Sequence, residues 1–464
     1  MDAIDRKRLT NTISKASKYL INSTNKDGGI KFEDEFSEIS GSWVTAETLE
    51  ALLESNVLPI TCYKKVEPMI LFLISNQNDD GSWSILTKDS KKPSAISTGH
   101  CVYSLKLAAR DGYYSTKEIY QAIERGEAWL RDSKCCIDRN GYAFWSTEPI
   151  EQGNVVDCNS DVISRMEYVF SSFYAVMGFI NPDGFIVKDD IDINLIEKAK
   201  RFFVNQATFF IEKYKSEIEK LDDILQFAKV SSTICRIVNA IDMLRIEIPN
   251  NIQSGLKDLL SLCSKNPFMT TSITVHTDRL AGFTAVYNNN TPFDMANAFL
   301  SINTDSGTLF TIIEQYIENQ SKEGFWYLNF SSAYKIKTWT TAEAIIVLNK
   351  ALRKYNEVEF YEKQKEIDSR HDDLLLKYKH LRIDALISTI ISMAICIGGI
   401  IGLIIWNSQP ENKDTTLHNI LSLLIIPLAI WLFKQMWGLI KSIIEITKET
   451  KSIKESNKKG EDSK

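Results

Sequence analysis

Apolar positions in the first 353 residues fall at helical spacing in paired segments, joined by a turn carrying Gly and then an apolar residue. The pattern is clearest where Phe72 and Leu73 run into Gln77, Gly81 and Trp83, followed by the amphipathic stretch SAISTGHCVYSLKLAA. A first copy has Tyr19, Leu20, Thr24, Gly28, Gly29 and Ile30 in the same register, then SWVTAETLEALLESN. A third has Arg125, Gly126, Trp129 and Leu130, with a longer turn through Gly141 to Phe144 and Trp145. The last has Tyr316, Ile317, Gln320, Gly324, Phe325 and Trp326, then TTAEAIIVLNKAL. Gly28 and Gly81 lie 53 residues apart, Gly81 and Gly141 60, and Gly141 and Gly324 183, or three intervals of 61, so two eroded copies belong in the gap. Their helices are expected at 196–207 and 231–244, where Phe202, Phe203 and Gln206 echo the motif, and at 252–263 and 294–302. A single hairpin cannot bury its apolar side alone. Six stacked in a closed ring bury one another, which predicts twelve helices in two concentric layers over residues 1–353.

Beyond the repeats the pattern changes twice. Residues 354–383 contain neither Gly nor Pro and read as a helical stalk. Phe360, Ile367, Leu374 and Leu381 recur every seven residues, but Gln364, His371 and Tyr378 interrupt the companion row. A solvated helix and a parallel coiled coil that would make the chain a homo-oligomer both stay open. Residues 385–406, ALISTIISMAICIGGIIGLIIW, carry no charge and have the length to cross about 30 Å of hydrocarbon. Residues 420–440 form a second candidate span despite Pro427, Lys434 and Gln435, because Lys434 lies near enough to the boundary to snorkel. Trp406, Trp431 and Trp437 suit the interfaces. Basic residues flank the pair at Arg370, Lys377, Lys379 and Arg382 and again from Lys441 onward, whereas the loop between the spans has only Lys413. Both termini are therefore expected in the cytoplasm of a cell-membrane protein that crosses the bilayer twice. The expected domains are a toroid at 1–353, a stalk at 354–383, a transmembrane hairpin at 384–440 and a basic tail at 441–464. The opening MDAIDRKRLTNTISK has charge but no apolar run behind it, so no signal peptide is expected.

The turn residues resemble the QW repeats of the terpenoid cyclase and protein prenyltransferase superfamily, whose pattern is a basic residue, Gly, an aromatic, Leu, then Gln and Gly-x-Trp. Gln77 to Trp83 matches the second half in full, and Arg125 to Leu130 the first half. Thr24 and Lys134 stand where Gln is expected, Ile30 replaces Trp, and the last copy is one residue short before Gln320. The resemblance implies an all-α fold, the α6/α6 toroid, with a central cavity lined by the second helix of each hairpin. In such a ring Trp83 and Trp326 are expected to clamp neighbouring hairpins and not to bind a ligand.

Composition narrows the partners. A net charge of −6 and a pI near 5.6 give no attraction to a phosphate backbone, so nucleic acid is not an expected partner. Eight cysteines form no regular framework and no CxxC pair, which fits a reducing compartment.

Chemistry is harder to find. The Asp-x-Asp-Asp acid that the resembled cyclases use is absent; the nearest string, Asp189-Asp190-Ile191-Asp192, has another order and falls in an expected loop. The zinc-dependent prenyltransferases join Asp, Cys and His, and here zinc would have to combine His100 or His276 with Asp157 and Cys158. A satisfied core His and an inert Cys are the favoured reading, because His100 and Cys101 point about 100° apart on a helix. No metal ligands and no catalytic residues are assigned. Asp161 and Arg165 stand four apart on the third inner helix, as do Asp157 and Asp161 if that helix starts early enough, and would either bind a polar head group or form an intrahelical pair. Glu47 and Glu343 occupy matching places in VTAETLEALL and TTAEAIIVLN and would line the cavity mouth or favour a helix start. The cavity candidates are thus Glu47, His100, Asp157, Asp161, Arg165 and Glu343.

Three functions fit. Ranked first is a membrane-anchored module that binds an isoprenoid, a lipid-like molecule or a peptide and signals through its membrane helices, a layout compatible with bacterial conflict systems. An enzyme acting on an isoprenoid or lipid-linked substrate comes second, and a structural scaffold third.

Overall fold

The computed structural model describes residues 6–354, apart from 32–38, 56–62, 87–91, 111–115, 133, 151–156, 158, 160, 183–189, 267–273, 281–282, 289–290, 303–306 and 329–336, and beyond them Ile405. The chain divides into two units, Met1–Glu357 and Val358–Lys464. The stalk and both expected spans therefore lie outside the described residues, Ile405 excepted. Among the described residues no helix is long and apolar enough to cross a membrane.

The first unit holds twelve α-helices among its described residues. They are α1 (Arg6–Asn22), α2 (Ser42–Leu53), α3 (Tyr63–Ser75), α4 (Ala95–Arg110), α5 (Lys117–Asp132), α6 (Val162–Met177), α7 (Asp190–Tyr214), α8 (Ile224–Met243), α9 (Asn250–Lys265), α10 (Thr291–Ser301), α11 (Gly307–Glu318) and α12 (Thr338–Lys354). The even-numbered helices form the inner ring: α2 packs on α4, α4 on α6, α6 on α8, α8 on α10, α10 on α12, and α12 returns to α2. Each odd-numbered helix lies on the inner helix of the preceding hairpin, and α1 closes the outer layer by packing on α12.

Sequence explains the two layers. The outer helix α5 buries Ile119, Ala122, Ile123, Gly126, Trp129 and Leu130, a single stripe at helical spacing, and keeps its charges on the other face. The inner helix α2 is buried at every residue except Trp43, as a helix covered on all sides must be. The eroded hairpins appear where the motif echoes place them, with α7 and α8 covering 196–207 and most of 231–244.

The turns bind each hairpin to the next. Gly28, Gly81 and Gly324 have φ of +89°, +95° and +108°, and a Cβ on each would come within 2.3, 2.4 and 2.5 Å of the carbonyl oxygens of Pro68, Arg125 and Lys15. Glycine there permits both the left-handed turn and direct backbone contact with the following outer helix. Gln77 Nε2 donates to Gly81 O and to Ala122 O, each at 2.9 Å, and Gln320 Nε2 donates to Gly324 O at 3.1 Å and Thr12 O at 2.9 Å. Trp83, Trp145 and Trp326 are fully buried, and their indole N–H groups donate to Leu73 O, Leu130 O and Tyr316 O at 2.7, 2.8 and 2.6 Å.

Three short antiparallel ribbons depart from an all-helical chain: β1 (Ile30–Lys31) with β2 (Ser40–Gly41), β3 (Cys136–Arg139) with β4 (Tyr142–Trp145), and β5 (Thr274–Leu280) with β6 (Phe283–Asn288). The second corrects the place of Gly141 in the repeat, while the six hairpins stand. Asn140 and Gly141, at φ 55° and 79°, form the tight Asn-Gly turn of a two-residue hairpin, and a Cβ on Gly141 would meet nothing within 4 Å. Gly141 is therefore no counterpart of Gly81. The equivalence is carried by Trp145, which keeps the indole bond of Trp83.

Candidate functional site

Hydrogen bonds from the turns fix the register of four inner helices. Thr45 Oγ1 accepts from Ile30 N at 2.8 Å, Thr98 Oγ1 from Trp83 N at 2.9 Å, Ser172 Oγ from Trp145 N at 2.8 Å and Thr341 Oγ1 from Trp326 N at 3.2 Å. Two residues beyond each hydroxyl stand Glu47, His100, Tyr174 and Glu343, which thus occupy one level of the inner ring and are all buried.

A cavity of about 50 Å³ opens at this level. Every inner helix contributes to its wall, through Glu47 and Glu50, His100, Tyr174, Arg236, Asp294 and Ile346 in chain order. His100 Nε2 lies 2.5 Å from Glu50 Oε2, and the imidazole stacks on Tyr174 with ring centroids 5.5 Å apart. Across the ring, Asp294 Oδ2 accepts from Ser232 Oγ at 2.5 Å and stands 3.7 Å from Arg236 Nη1. Arg236 also donates to Ser232 Oγ and lies 4.4 Å over the Phe170 ring. Two buried atoms of the wall, Glu47 Oε2 and His100 Nδ1, have no hydrogen-bond partner among the described residues.

Burial dominates the electrostatics. It holds the Glu47 carboxyl well above its ordinary value, and the neighbouring charges of Glu343, Glu50 and Asp294 push the same way while Arg236 opposes them. Glu50 is raised by burial against the pull of His100, and Asp294 by burial against Arg236 and Ser232. Glu47 thus binds its proton more tightly in the folded chain than in the unfolded one. The stability this contributes is full below the ordinary value of 4.5 and is lost as pH rises through the folded value. Glu47→Gln lacks that dependence. The melting temperature of wild type minus variant should fall by about 2 °C or more between about pH 5 and pH 8, as read by thermal denaturation. A pH-independent difference would show that Glu47 is not held protonated.

The expected site residues fall in two places. Glu47 and His100 line the cavity, and Glu343 stands level with Glu47 on α12. Asp157 and Asp161 precede α6 and Arg165 lies in its first turns, eight residues before the cavity-lining Phe173, about 12 Å along the axis. The expectation that these residues share a helical face is corrected, because α6 begins only at Val162. Asp161 is its N-cap: the carboxylate accepts from Ser164 Oγ at 2.8 Å, which does most to keep it below its ordinary value, and from Ser164 N and Ile163 N at 3.1 and 2.9 Å. Asp157 is exposed and accepts from Asn159 N. Arg165 is buried, donates to Gln206 Oε1 at 3.1 Å and Asn159 Oδ1 at 3.2 Å, and lies 4.0 Å over Phe209.

The other candidates have structural partners or lie elsewhere. Asp190 opens helix α7 and does not lie in a loop, and Asp192 takes Arg131 bidentately at 2.7 and 2.9 Å, tying α5 to α7. Cys101 is buried with its thiol raised by burial, His276 falls in β5, and Cys158 is outside the described residues. Among the described residues no three of His, Cys, Asp and Glu gather where they could hold a metal ion. Glu50, Tyr174, Arg236 and Asp294 are members of the site that sequence reading passes over.

No protein-family model matches the chain, and no curated protein matches it. Among solved structures it is similar to the type II terpene cyclase MstE from Scytonema in its apo form, at TM-score 0.41 and 15% identity over 75% of this chain and 99% of that one. It is likewise similar to a variant of MstE in complex with its product merosterolic acid A, at TM-score 0.38 and 16% identity over 75% of this chain and 98% of that one. By its own closed double ring, the first unit is an α6/α6 toroid with a small polar cavity at its centre.

Proposed function

We propose that the chain is a binding module whose inner ring receives the polar end of an amphipathic ligand. The two spans expected at 385–406 and 420–440 would hold it at the bilayer where such molecules concentrate. The observation that carries this reading is the pair of buried, unpartnered atoms on two residues of one cavity wall, Glu47 Oε2 and His100 Nδ1, since leaving a buried polar group unsatisfied costs about 1–3 kcal/mol. The size of the cavity limits what enters. Pockets that enclose whole drug-sized ligands run to about 300–1,000 Å³, so a space of about 50 Å³ admits a head group and not an isoprenoid chain.

A second reading, an enzyme acting on an isoprenoid or lipid-linked substrate, draws on Glu47 alone: a carboxyl kept as the neutral acid beside a cavity can deliver a proton. The two readings separate on purified full-length chain taken from its membrane in mild detergent. Native mass spectrometry should find an amphipathic adduct that Ile346→Phe removes, since the larger side chain fills the cavity without deleting a polar group. The adduct should be recovered unaltered after incubation. A chain with no adduct would favour the scaffold, and conversion of the adduct would favour the enzyme.

A further inference from the structure

Resting on the binding reading above, we infer that the group entering the ring is a protonated amine, whose N–H donors meet Glu47 Oε2 beside His100. The argument starts from what each orphaned atom can do. The 2.5 Å contact to Glu50 Oε2 occupies His100 Nε2 and leaves Nδ1 as the ring nitrogen without a partner. Glu47 Oε2 becomes an open acceptor when its carboxyl gives up the proton that burial holds on it. The vacancy at Glu47 therefore calls for a donor that can displace that proton.

Charge points the same way. The groups facing the cavity are Glu47 and Glu50 from α2, His100 from α4, Tyr174 from α6, Arg236 from α8 and Asp294 from α10, with Glu343 of α12 beside Glu47. The guanidinium of Arg236 is held by Asp294, Ser232 and the Phe170 face, so it is already engaged and offers an anion little. Glu47 is left among carboxyls, with Glu343, Glu50 and Asp294 all disfavouring its ionisation. A cation between them would relieve that repulsion, and the rings of Phe173, Tyr174 and Phe293 in the same wall suit an alkylammonium. A space of about 50 Å³ fits such a head group. Binding would ionise Glu47, so the carboxyl proton leaves to solvent as the ammonium takes its place.

Methylammonium chloride is the probe, with methanol and sodium formate as its neutral and anionic counterparts at matched ionic strength, on full-length chain in detergent. Methylammonium should raise the melting temperature in a dose-dependent way. Calorimetry in two buffers of different ionisation enthalpy should find up to about one proton released per cation bound. Glu47→Gln should keep the fold, bind about tenfold or more weakly and release no proton. If methanol or formate stabilises wild type as well as methylammonium does, or if Glu47→Gln binds unchanged, the amine is wrong while the cavity remains a binding site. If none of the three moves wild type, the cavity holds only water and the binding reading falls with the inference.

Discussion

Gly324→Ala should destabilise the chain by more than about 3 kcal/mol, because the substitution strikes the seam where the last hairpin meets the first. At φ +108° an alanine is strained, and its Cβ would lie 2.5 Å from Lys15 O and 2.9 Å from the carbonyl carbon, both backbone atoms of α1 that cannot swing aside. The same seam carries Gln320 Nε2 to Thr12 O and Lys15 Nζ to Ser321 O at 2.7 Å. Gly141→Ala provides the control, since φ there is +79° but no atom lies within 4 Å of the added carbon. It should cost only the left-handed strain, about 1–2 kcal/mol. Urea denaturation of both variants measures the gap. Equal losses would mean that contact with α1 does not close the ring.

Trp83→Ala should cost about 3–5 kcal/mol, the range for deleting a buried aromatic from a packed core. Trp83 is fully buried, its N–H is bound by Leu73 O at 2.7 Å, and its ring occupies the space that a Cβ on Gly126 would invade, 2.9 Å from Cζ3. The indole is thus anchored to α3 of its own hairpin and inserted against α5 of the next. Trp326→Ala should behave alike, because Trp326 makes the equivalent bond to Tyr316 O. Neither variant removes a residue of the cavity wall, so any remaining folded protein should bind ligand as wild type does. A loss below about 1 kcal/mol for both would remove the clamping role, given that it is well under what core aromatics cost.

The hairpins that carry Gln77 and Gln320 were legible because local turn chemistry repeats. Gln77 and Gln320, Gly81 and Gly324, and Trp83 and Trp326 make the same bonds in the structure, so the same residues recur in the sequence. Gly141 misled for a physical reason, since a ribbon turn and a hairpin-to-hairpin turn both demand positive φ. The site was half legible. Glu47 and Glu343 stood out through near-identical strings around Thr45 and Thr341. Tyr174 did not, because a longer stretch of chain separates Trp145 from α6, so its turn bond spans 27 residues where the other copies span 15. Arg236 and Asp294 sit in hairpins with no surviving turn motif to set their register. Asp161 and Arg165 were drawn together by helical spacing alone, and spacing does not show that Asp161 stands outside the helix as its cap.

The central claim is that the cavity between Glu47, His100, Arg236 and Asp294 holds a ligand group and not solvent alone. Its most direct test is an experimental structure of the chain purified in mild detergent from cells that make it, at a resolution that separates bound water from an organic group. Continuous density reaching both Glu47 Oε2 and His100 Nδ1 and leading out of the ring is the predicted result. Discrete water peaks on those two atoms, with nothing joining them, would contradict it.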